Sequence, residues 1–437
     1  MKRIMLTLAL IIALACVFTS CNLLPNGANK GCDHVWETVT TAPTCTTDGY
    51  DTMICTLCNE IVKTNIIEKL GHDYDIAYTI DDDYHWHMCK VCNTIGDKEI
   101  HTLDNEGVCT VCDLPITPTP GVIYDLHHNK SYAVVIGYTG SATKVKIAKE
   151  YEGVPVKTIY ERAFNDNKNI TSVVIPDGVT SIGEFAFCRC SSLTSIIIPD
   201  SVTNIDYAAF HGCSKLTSIV IPNGVTSIAG YTFSGCDRIK SVVIPDGVTS
   251  IGDYAFFACN LLKSVVIPDT VTSISEYAFA SCDCLESVVI PDSVTRIGDY
   301  AFYYCYRLTS VVISNSVTSI GEGAFYNCYN ITSIVIPDGV TSIADKLFYN
   351  CRGLTSLVIP DGATNIGKRA FYNCDGITSV VIPDSVTSIG DYAFCDCSAL
   401  TDVYYTGSEQ EWTEIEIGYY NVNLKNATRH YNYIPEE

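Results

Sequence analysis

Basic residues are scarce in this sequence, which has 27 Lys and Arg against 49 Asp and Glu and a formal net charge of −22. Nucleic acids and anionic lipid surfaces attract proteins that present a positive face, so this charge argues against both as partners. Histidine is also scarce, since residues 154–401 contain His211 alone. No glycine-rich phosphate loop occurs, and no Ser or Cys stands apart from the repeated columns as a nucleophile. The sequence therefore predicts a protein that is not an enzyme.

Long apolar runs are absent after the first twenty residues. Lys2 and Arg3 precede an apolar run over 4–18, which is too short for a membrane span and is typical of a secretory signal. The stretch F-T-S-C that ends at Cys21 resembles a bacterial lipobox, although Phe18 stands where Leu is usual. The resemblance implies a thioether-linked diacylglycerol on Cys21, and plain secretion with cleavage nearby is the alternative. We expect a signal peptide over 1–21, a polar tether over 22–31, and an extracytoplasmic, surface-exposed protein attached to the membrane through lipid.

Cysteine is plentiful, and its first cluster lies in residues 32–114 with five of the nine histidines. Two C-x-x-C pairs separated by sixteen residues have the spacing of a four-cysteine zinc ribbon, and a second set lies upstream. The candidate ligands are Cys89, Cys92, Cys109 and Cys112, with His87 and His101 as competitors, and upstream Cys45, Cys55, Cys58 and His72, with His34 as a competitor. The segment resembles the small zinc-ribbon-like modules of surface proteins from anaerobic bacteria. We expect two modules holding structural zinc.

Two other interpretations of this cluster stay open. An exported chain meets oxidants, so the same cysteines could form disulfides. A catalytic zinc would need an open coordination position and a general base in a cleft, which these closed modules do not indicate.

The rest of the chain repeats one 23-residue unit, best displayed by Ile290 to Val312. Counting from the proline that opens each unit as position 0, eight positions are apolar in every copy except for Asn167 at position 14 and Thr232 at position 10: 3, 6, 10, 11, 14, 17, 20 and 22. Phe recurs at position 11 and Cys at position 14. A fixed period of this length predicts a solenoid whose coils bury their inward residues against each other.

Each unit divides into three predicted segments. T-S-V-V-I alternates and is β-branched, which predicts a short strand in a parallel sheet. I-P-D-G or I-P-D-S suits a turn. G-D-Y-A-F-Y-Y-C is interpreted as a short helical or 3₁₀ return. The predicted class is mainly β, with coils over 153–404 numbering about eleven.

The consensus L-x-x-V-x-I-P-x-x-V-x-x-I-G-x-x-A-F-x-x-C resembles the BspA-like class of bacterial leucine-rich repeats over residues 145–405. That resemblance implies a curved right-handed solenoid found on bacterial surface proteins and often linked to adhesion, with no catalytic residues. The flanks complete the expected domains: a Pro-rich linker at 115–120, an entry cap at 121–152 and a closing cap at 405–437.

A binding surface is expected where the strand presents positions 19 and 21 away from the core. Its central residues are Ser264, Val266, Ser287, Val289, Ser310 and Val312. An exposed apolar column of this length indicates a contact surface, for a host or neighbouring-cell surface protein or a glycan, on a monomeric molecule. Recent duplication would preserve the same columns without use, and a structural spacer without a specific ligand is the alternative function.

Three further sets of residues recur along the repeats: loop tyrosines, turn aspartates and cysteines. The loop tyrosines either bind ligand or stack as cover for the return, and stacking is favoured. The turn aspartates are expected to be solvated caps, and calcium binding there is disfavoured for want of a cage. The ten-step Cys column is expected to consist of buried thiols rather than disulfides. Cys188, Cys284 and Cys395 lie off this column.

Overall fold

The computed structural model describes residues 118–435 throughout, and before them only the backbone of six strands. These are β1 (Trp36–Thr41), β2 (Gly49–Cys55), β3 (Ile61–Ile67), β4 (Tyr74–Ile80), β5 (Tyr84–Cys89) and β6 (Glu99–Ile100). They form two antiparallel sheets in the orders β1-β2-β3 and β4-β5-β6. The predicted signal peptide, Cys21 and the tether lie outside the described residues.

The entry cap is a hairpin that leads into the solenoid. Its strands are β7 (Val122–Leu126), β8 (Ala133–Tyr138), β9 (Lys144–Lys146), β10 (Glu150–Tyr151) and β11 (Val154–Ile159). β7 and β8 pair antiparallel, and β8 then pairs parallel with β11. Through these contacts the hairpin covers the edge that the first coil would otherwise expose.

The predicted strand of the repeat is confirmed and builds one ladder along the solenoid. Its rungs are β12 (Ser172–Val174), β14 (Ser195–Ile197), β16 (Ser241–Val243), β18 (Ser264–Val266), β20 (Ser287–Ile290), β22 (Ser310–Ile313), β25 (Ser356–Val358), β27 (Ser379–Ile382), β29 (Asp402–Tyr405) and β31 (Thr428–His430). The strands pair parallel and in register, as Ser241 with Ser264, within three successive sheets that include β9 and have the orders β9-β12-β14, β16-β18-β20-β22 and β25-β27-β29-β31. β9 precedes the first rung and β31 follows the last repeat, so the ladder extends into both caps and the solenoid has about 13 turns.

A second ladder of two-residue strands runs beside the first. Its rungs are β13 (Ser181–Ile182), β15 (Asn204–Ile205), β17 (Ser250–Ile251), β19 (Ser273–Ile274), β21 (Arg296–Ile297), β23 (Ser319–Ile320), β24 (Ser342–Ile343), β26 (Asn365–Ile366), β28 (Ser388–Ile389) and β30 (Glu416–Ile417). The first nine begin five residues after the residue that opens the unit, which is proline except at Ser314, and bury their Ile side chains, whereas Ile417 of β30 is half-buried against the core. The proline turn therefore joins two strands of one coil.

The return from the second ladder to the first runs as consecutive turns, where a short helical or 3₁₀ segment was expected. Tyr254, Phe256 and Ala258 donate their N–H groups to carbonyls of the next coil at 2.8–2.9 Å, whereas Ala255 and Phe257 donate back to carbonyls three residues earlier. This alternation requires positive φ at positions 9 and 13, as at Tyr254 (56°) and Ala258 (55°). Left-handed residues at this spacing interrupt any helix.

The core consists of parallel columns that run the length of the array. All eight predicted inward positions are buried, and the eleven Phe side chains from Phe164 to Phe394 are 0–2% exposed. Each Phe ring stacks on the next, as Phe302 on Phe325 with centroids 5.5 Å apart and planes 2° from parallel. Stacked aromatic rings add attraction beyond the area they bury.

The Cys column is confirmed as buried thiols, and none of the cysteines in residues 118–435 forms a disulfide. Each thiol of the column lies near the Phe carbonyl of the preceding coil and donates to it, as Cys282 Sγ to Phe256 O at 3.3 Å. The bond gives the carbonyl a partner and fixes the thiol in the core. Burial raises the pKa of the Cys190 thiol to about 12.

The closing cap supplies what a further coil would have supplied. It contains α1 (Glu409–Glu414) and α2 (Val422–Asn426) between the last strands. The N–H of Phe371 donates to the Ala393 carbonyl, and at the end of the array the N–H of Phe394 donates instead to Asn421 Oδ1 at 2.9 Å. Asn421 is 1% exposed and also donates to the Gly390 carbonyl. One amide side chain thus closes the column of return hydrogen bonds.

Candidate functional site

The strand face is most open in the middle of the array. Val266 is 60% exposed and Val289 43%, whereas Val312 is half-buried and Val174, at the capped end, is 5% exposed. Among the predicted serines, Ser264 and Ser287 are exposed and Ser310 is half-buried. The structure places all six predicted surface residues on three adjacent strands, and the four exposed ones lie on β18 and β20. The expected stripe is a patch rather than a continuous column.

Charged residues replace threonine beside this patch. Position 18 is Thr in every coil except three consecutive ones, which carry Lys240, Lys263 and Glu286, all exposed. A threonine at this position donates its hydroxyl to the carbonyl of the preceding coil, as Thr309 Oγ1 does to Glu286 O at 3.1 Å. Lys and Glu cannot make that bond, so these coils give up a stabilising contact at the patch. Simple duplication does not account for this departure.

Tyrosines form two stacked columns along the return. The first tyrosine column, at position 9, consists of Tyr231, Tyr254, Tyr277 and Tyr300, with centroids 4.5–5.0 Å apart. The second, at position 12, consists of Tyr303, Tyr326, Tyr349 and Tyr372. Tyr300 meets Tyr303 edge to face at 5.6 Å, which joins the columns. The rings are half-buried, so stacking is the main role of these residues.

An ion pair fills the place where the first column stops. Gly323 occupies position 9 of the coil after Tyr300 and carries no ring. Lys346 Nζ lies 2.7 Å from Glu322 Oε1, and Tyr300 donates its hydroxyl to the same carboxylate. The lysine and the phenol lower the pKa of Glu322, so the group is ionised at neutral pH.

A cleft of ≈ 450 Å³ lies at the other end of the first column, near the entry cap. We call it the arginine cleft, and its principal side chains are Arg162, Phe185, Arg189, Tyr207, His211 and Tyr231. Position 9 of the third coil is Ala208, so the ring that would continue the column is missing there. Tyr207, one residue earlier, contacts both Phe185 and Tyr231 at 5.4–5.5 Å between centroids.

The arginine cleft brings two guanidinium groups together in a chain that is acidic overall. The Arg162 guanidinium lies 5.0 Å from the centre of the Phe185 ring, and its ion pair with Glu161, at 3.7 Å, is exposed to solvent. Within residues 118–435, Arg189 forms no ion pair. Asp166 is the one carboxylate lining the cleft, and Glu161 pairs with Arg162 beside it, so among the described residues Arg189 is the guanidinium without an ion pair.

Two further groups of the cleft are held uncharged by burial. Desolvation, helped by the nearby Arg189, lowers the pKa of His211, so its ring is neutral at pH 7. Its Nδ1 is buried and has no hydrogen-bond partner among the described residues. Burial also raises the pKa of Cys188, which keeps this off-column thiol protonated. Arginine therefore dominates the electrostatics here.

The predicted metal ligands lie outside the described residues or, for Cys55 and Cys89, in strands described by their backbone alone. In the part of the chain described with side chains, no group of three His, Cys, Asp or Glu is placed to hold a metal ion. The turn aspartates are exposed, as expected for solvated caps. No helix among the described residues is long and apolar enough to cross a membrane.

Sequence reasoning missed the arginine cleft. Its residues come from four consecutive coils and fall mostly at positions 9, 12 and 13 of the repeat, where each of these coils carries a different side chain, so no shared residue type marks them. The available signal was departure from consensus: Arg162 and Ala208 at position 9, and His211 as the one histidine of the array. Reading the departures of adjacent coils together would have placed them near each other.

Comparison with known proteins agrees with this geometry. The family model of the BspA type leucine rich repeat region matches residues 157–285 and 272–401, more than half of the chain. No curated protein sequence matches it.

Several solved structures are similar over the array. A leucine rich cell surface protein from Faecalibacterium prausnitzii is 32% identical over 69% of this chain and 97% of its own, with a TM-score of 0.44. A leucine-rich repeat protein from Bacteroides ovatus is 27% identical over 72% of this chain and 99% of its own, with a TM-score of 0.56. The second supports the fold directly.

Proposed function

We propose that this chain, which belongs to the family of BspA type leucine-rich repeat proteins, displays its solenoid on the bacterial cell surface and binds a protein there. The family consists of repeat scaffolds, and the similar protein from F. prausnitzii is described as a cell surface protein. A binding role suits this chain better than catalysis, because the exposed patch is a surface for contact and not a reaction site.

The observation that carries the proposal is the coincidence of exposed valines and charges on the same coils. Val266 and Val289 are the most exposed of the strand-face valines, and Lys263 and Glu286 lie three residues before them in the chain. Apolar side chains beside charges of both signs are typical of a protein-binding surface. The four patch residues themselves include no aromatic ring, which disfavours sugar as their ligand.

A double substitution tests the patch. Val266→Ser with Val289→Ser should weaken binding of the full chain to its protein ligand at least tenfold, because exposed apolar contacts are lost while no cavity opens. The measurement is biosensor binding to immobilised collagen, laminin and mucin, with circular dichroism melts alongside. Val335→Ser with Val358→Ser, at the same repeat position among threonine-bearing coils, is the matched control and should bind as wild type.

Two results would contradict the patch as the site. Equal binding by the Val266 and Val289 variant would move the contact elsewhere on the solenoid. Failure of the wild type to bind any of these proteins would favour the spacer function.

The proposal for the N-terminal 114 residues is that lipid on Cys21 anchors the chain and that two zinc ions order the modules. Cys21→Ala should then shift the protein from the membrane fraction to the medium, or leave it unprocessed. Elemental analysis under reducing conditions should find about two zinc ions per chain, lost with chelator, since short modules of this kind owe their folding energy to metal. Unchanged membrane attachment of the Cys21→Ala variant would contradict a lipid anchor at Cys21. Paired cysteines without zinc would establish the disulfide alternative.

A further inference from the structure

We propose that the arginine cleft binds a carboxylated sugar residue at the end of a glycan chain. The cleft lies on the return side of the coils, whereas the valine patch lies on the first ladder. The site is therefore independent of the protein-binding patch, and each can fail without the other.

The arginines select the carboxylate of the ligand. Arg162 and Arg189 contribute two guanidinium groups to one cleft in a chain of net charge −22, and a planar guanidinium pairs with a carboxylate through two parallel hydrogen bonds. Glu161 pairs with Arg162 through a solvent-exposed contact, whereas Arg189 has no ion pair within residues 118–435, so the cleft offers one guanidinium to a single carboxylate. Neutral His211 adds a polar edge without adding charge.

The aromatic side chains select the sugar ring of the ligand. Phe185, Tyr207 and Tyr231 line the cleft, and Tyr207 is 40% exposed. Flat aromatic surfaces pack against the C–H faces of sugar rings, and tyrosine hydroxyls add hydrogen bonds. An acidic peptide would use the arginines but would have less use for three rings. The first tyrosine column starts at Tyr231 and runs away from the cleft, so a longer glycan has a track of hydroxyls to follow.

The substitutions at position 9 explain why the cleft occurs once. The coils from Tyr231 to Tyr300 have tyrosine there, whereas the coils at this end carry Arg162, Phe185 and Ala208. The Tyr207 ring, one residue before Ala208, contacts Phe185 and Tyr231 instead. The volume of ≈ 450 Å³ lies within the usual range of small-ligand sites, about 300–1,000 Å³.

The experiment measures binding of the full chain to trigalacturonic acid, its methyl ester, sialyllactose, lactose and triglutamate by titration calorimetry. We expect at least one of the two acidic sugars to bind, and its uncharged counterpart, the ester or lactose, to bind at least tenfold more weakly. Arg162→Gln with Arg189→Gln should reduce acidic-sugar binding at least tenfold, and Tyr207→Ala should reduce it as well. Arg352→Gln is the matched control. Arg352 lies 5.7 Å from the centre of the Tyr329 ring, and neither residue lines the cleft.

Three results among the binding curves would overturn the proposal, and a fourth would be the absence of any binding. The three are equal binding of the acid and its uncharged counterpart, binding by the double arginine variant equal to that of wild type, and binding of triglutamate as tight as that of the sugars. Absence of binding by both acidic sugars at millimolar concentration would do the same. Unchanged melting temperatures of the Gln variants, which alter exposed side chains, separate loss of binding from loss of fold.

Discussion

Replacing Phe279 by alanine should lower the free energy of unfolding by about 3–5 kcal/mol, the usual cost of removing a fully buried ring. Phe279 is 0% exposed and stacks between Phe256 and Phe302 at 5.3 and 5.5 Å. No rearrangement within one coil can fill the gap, since the neighbouring rings are held by their own coils. The measurement is urea unfolding followed by circular dichroism.

The position of Phe279 gives the same experiment a second readout. In a repeat array, stability is a sum of coil terms and interfaces between neighbours, so a weak interface in the middle divides the array. We expect the Phe279→Ala transition to broaden or to separate into two steps. Val266→Ala, at an exposed site in the coil before, is the control and should change stability by less than about 0.5 kcal/mol. A single sharp transition with wild-type stability would show that the Phe column is not what couples the coils.

Alkaline pH should unfold the solenoid steeply, beginning near pH 9. Burial raises the folded-state pKa of all ten column thiols above the ordinary value of 9.0, to about 12 at Cys190 and Cys397 and further at Cys259 and Cys305. Above pH 9 the unfolded chain loses these protons while the folded chain keeps them, so stability is full below pH 9 and falls until the folded pKa is passed. Each thiol exposed by unfolding contributes about 1.4 kcal/mol per pH unit in that window.

Thermal melts in reducing buffer from pH 7 to pH 11 measure this effect. If unfolding exposes only two thiols, the free energy of unfolding falls by about 2.8 kcal/mol per pH unit above pH 9. Two such units are enough to unfold a marginally stable segment. Lysines and tyrosines also titrate in this range, so the Cys282→Ala and Cys305→Ala double variant is needed to isolate the thiols. It should start less stable at pH 7 and lose stability more slowly with pH. Parallel curves for variant and wild type would contradict the assignment.

The regular part of the fold was predictable because the same pattern of apolar residues recurs in each 23-residue unit. Inward positions, the strand, the proline turn and the Phe and Cys columns each recur in register, so pattern and burial agree. The return was harder, since Tyr254 and Ala258 give no sign of the positive φ they adopt. Gly235 and Gly323, at the same two positions of other coils, were the available hint. The two-residue second ladder is too short for periodicity to detect.

The site was predictable only in part, for a related reason. Solvent exposure of Val266 and Val289 follows from strand alternation, but the burial of Val174 depends on how the entry cap joins the array. The arginine cleft arises from differences between coils, and Ala208 alone carries no chemistry that would draw attention to it. Repeats specify the scaffold, whereas their exceptions specify where it differs along its length.

The closing contact of Asn421 also bears on how such a chain can change in length during evolution. Its amide oxygen accepts a hydrogen bond from the N–H of Phe394, as the carbonyl of a following coil would. The N–H of the Phe at position 11 makes the same kind of bond in the other coils. The cap therefore recognises a generic coil end and not a particular coil. Unequal recombination that adds or removes a whole 23-residue unit leaves both ends matched, so a gene of this kind can alter the reach of its product in steps of one coil without passing through an unfolded intermediate.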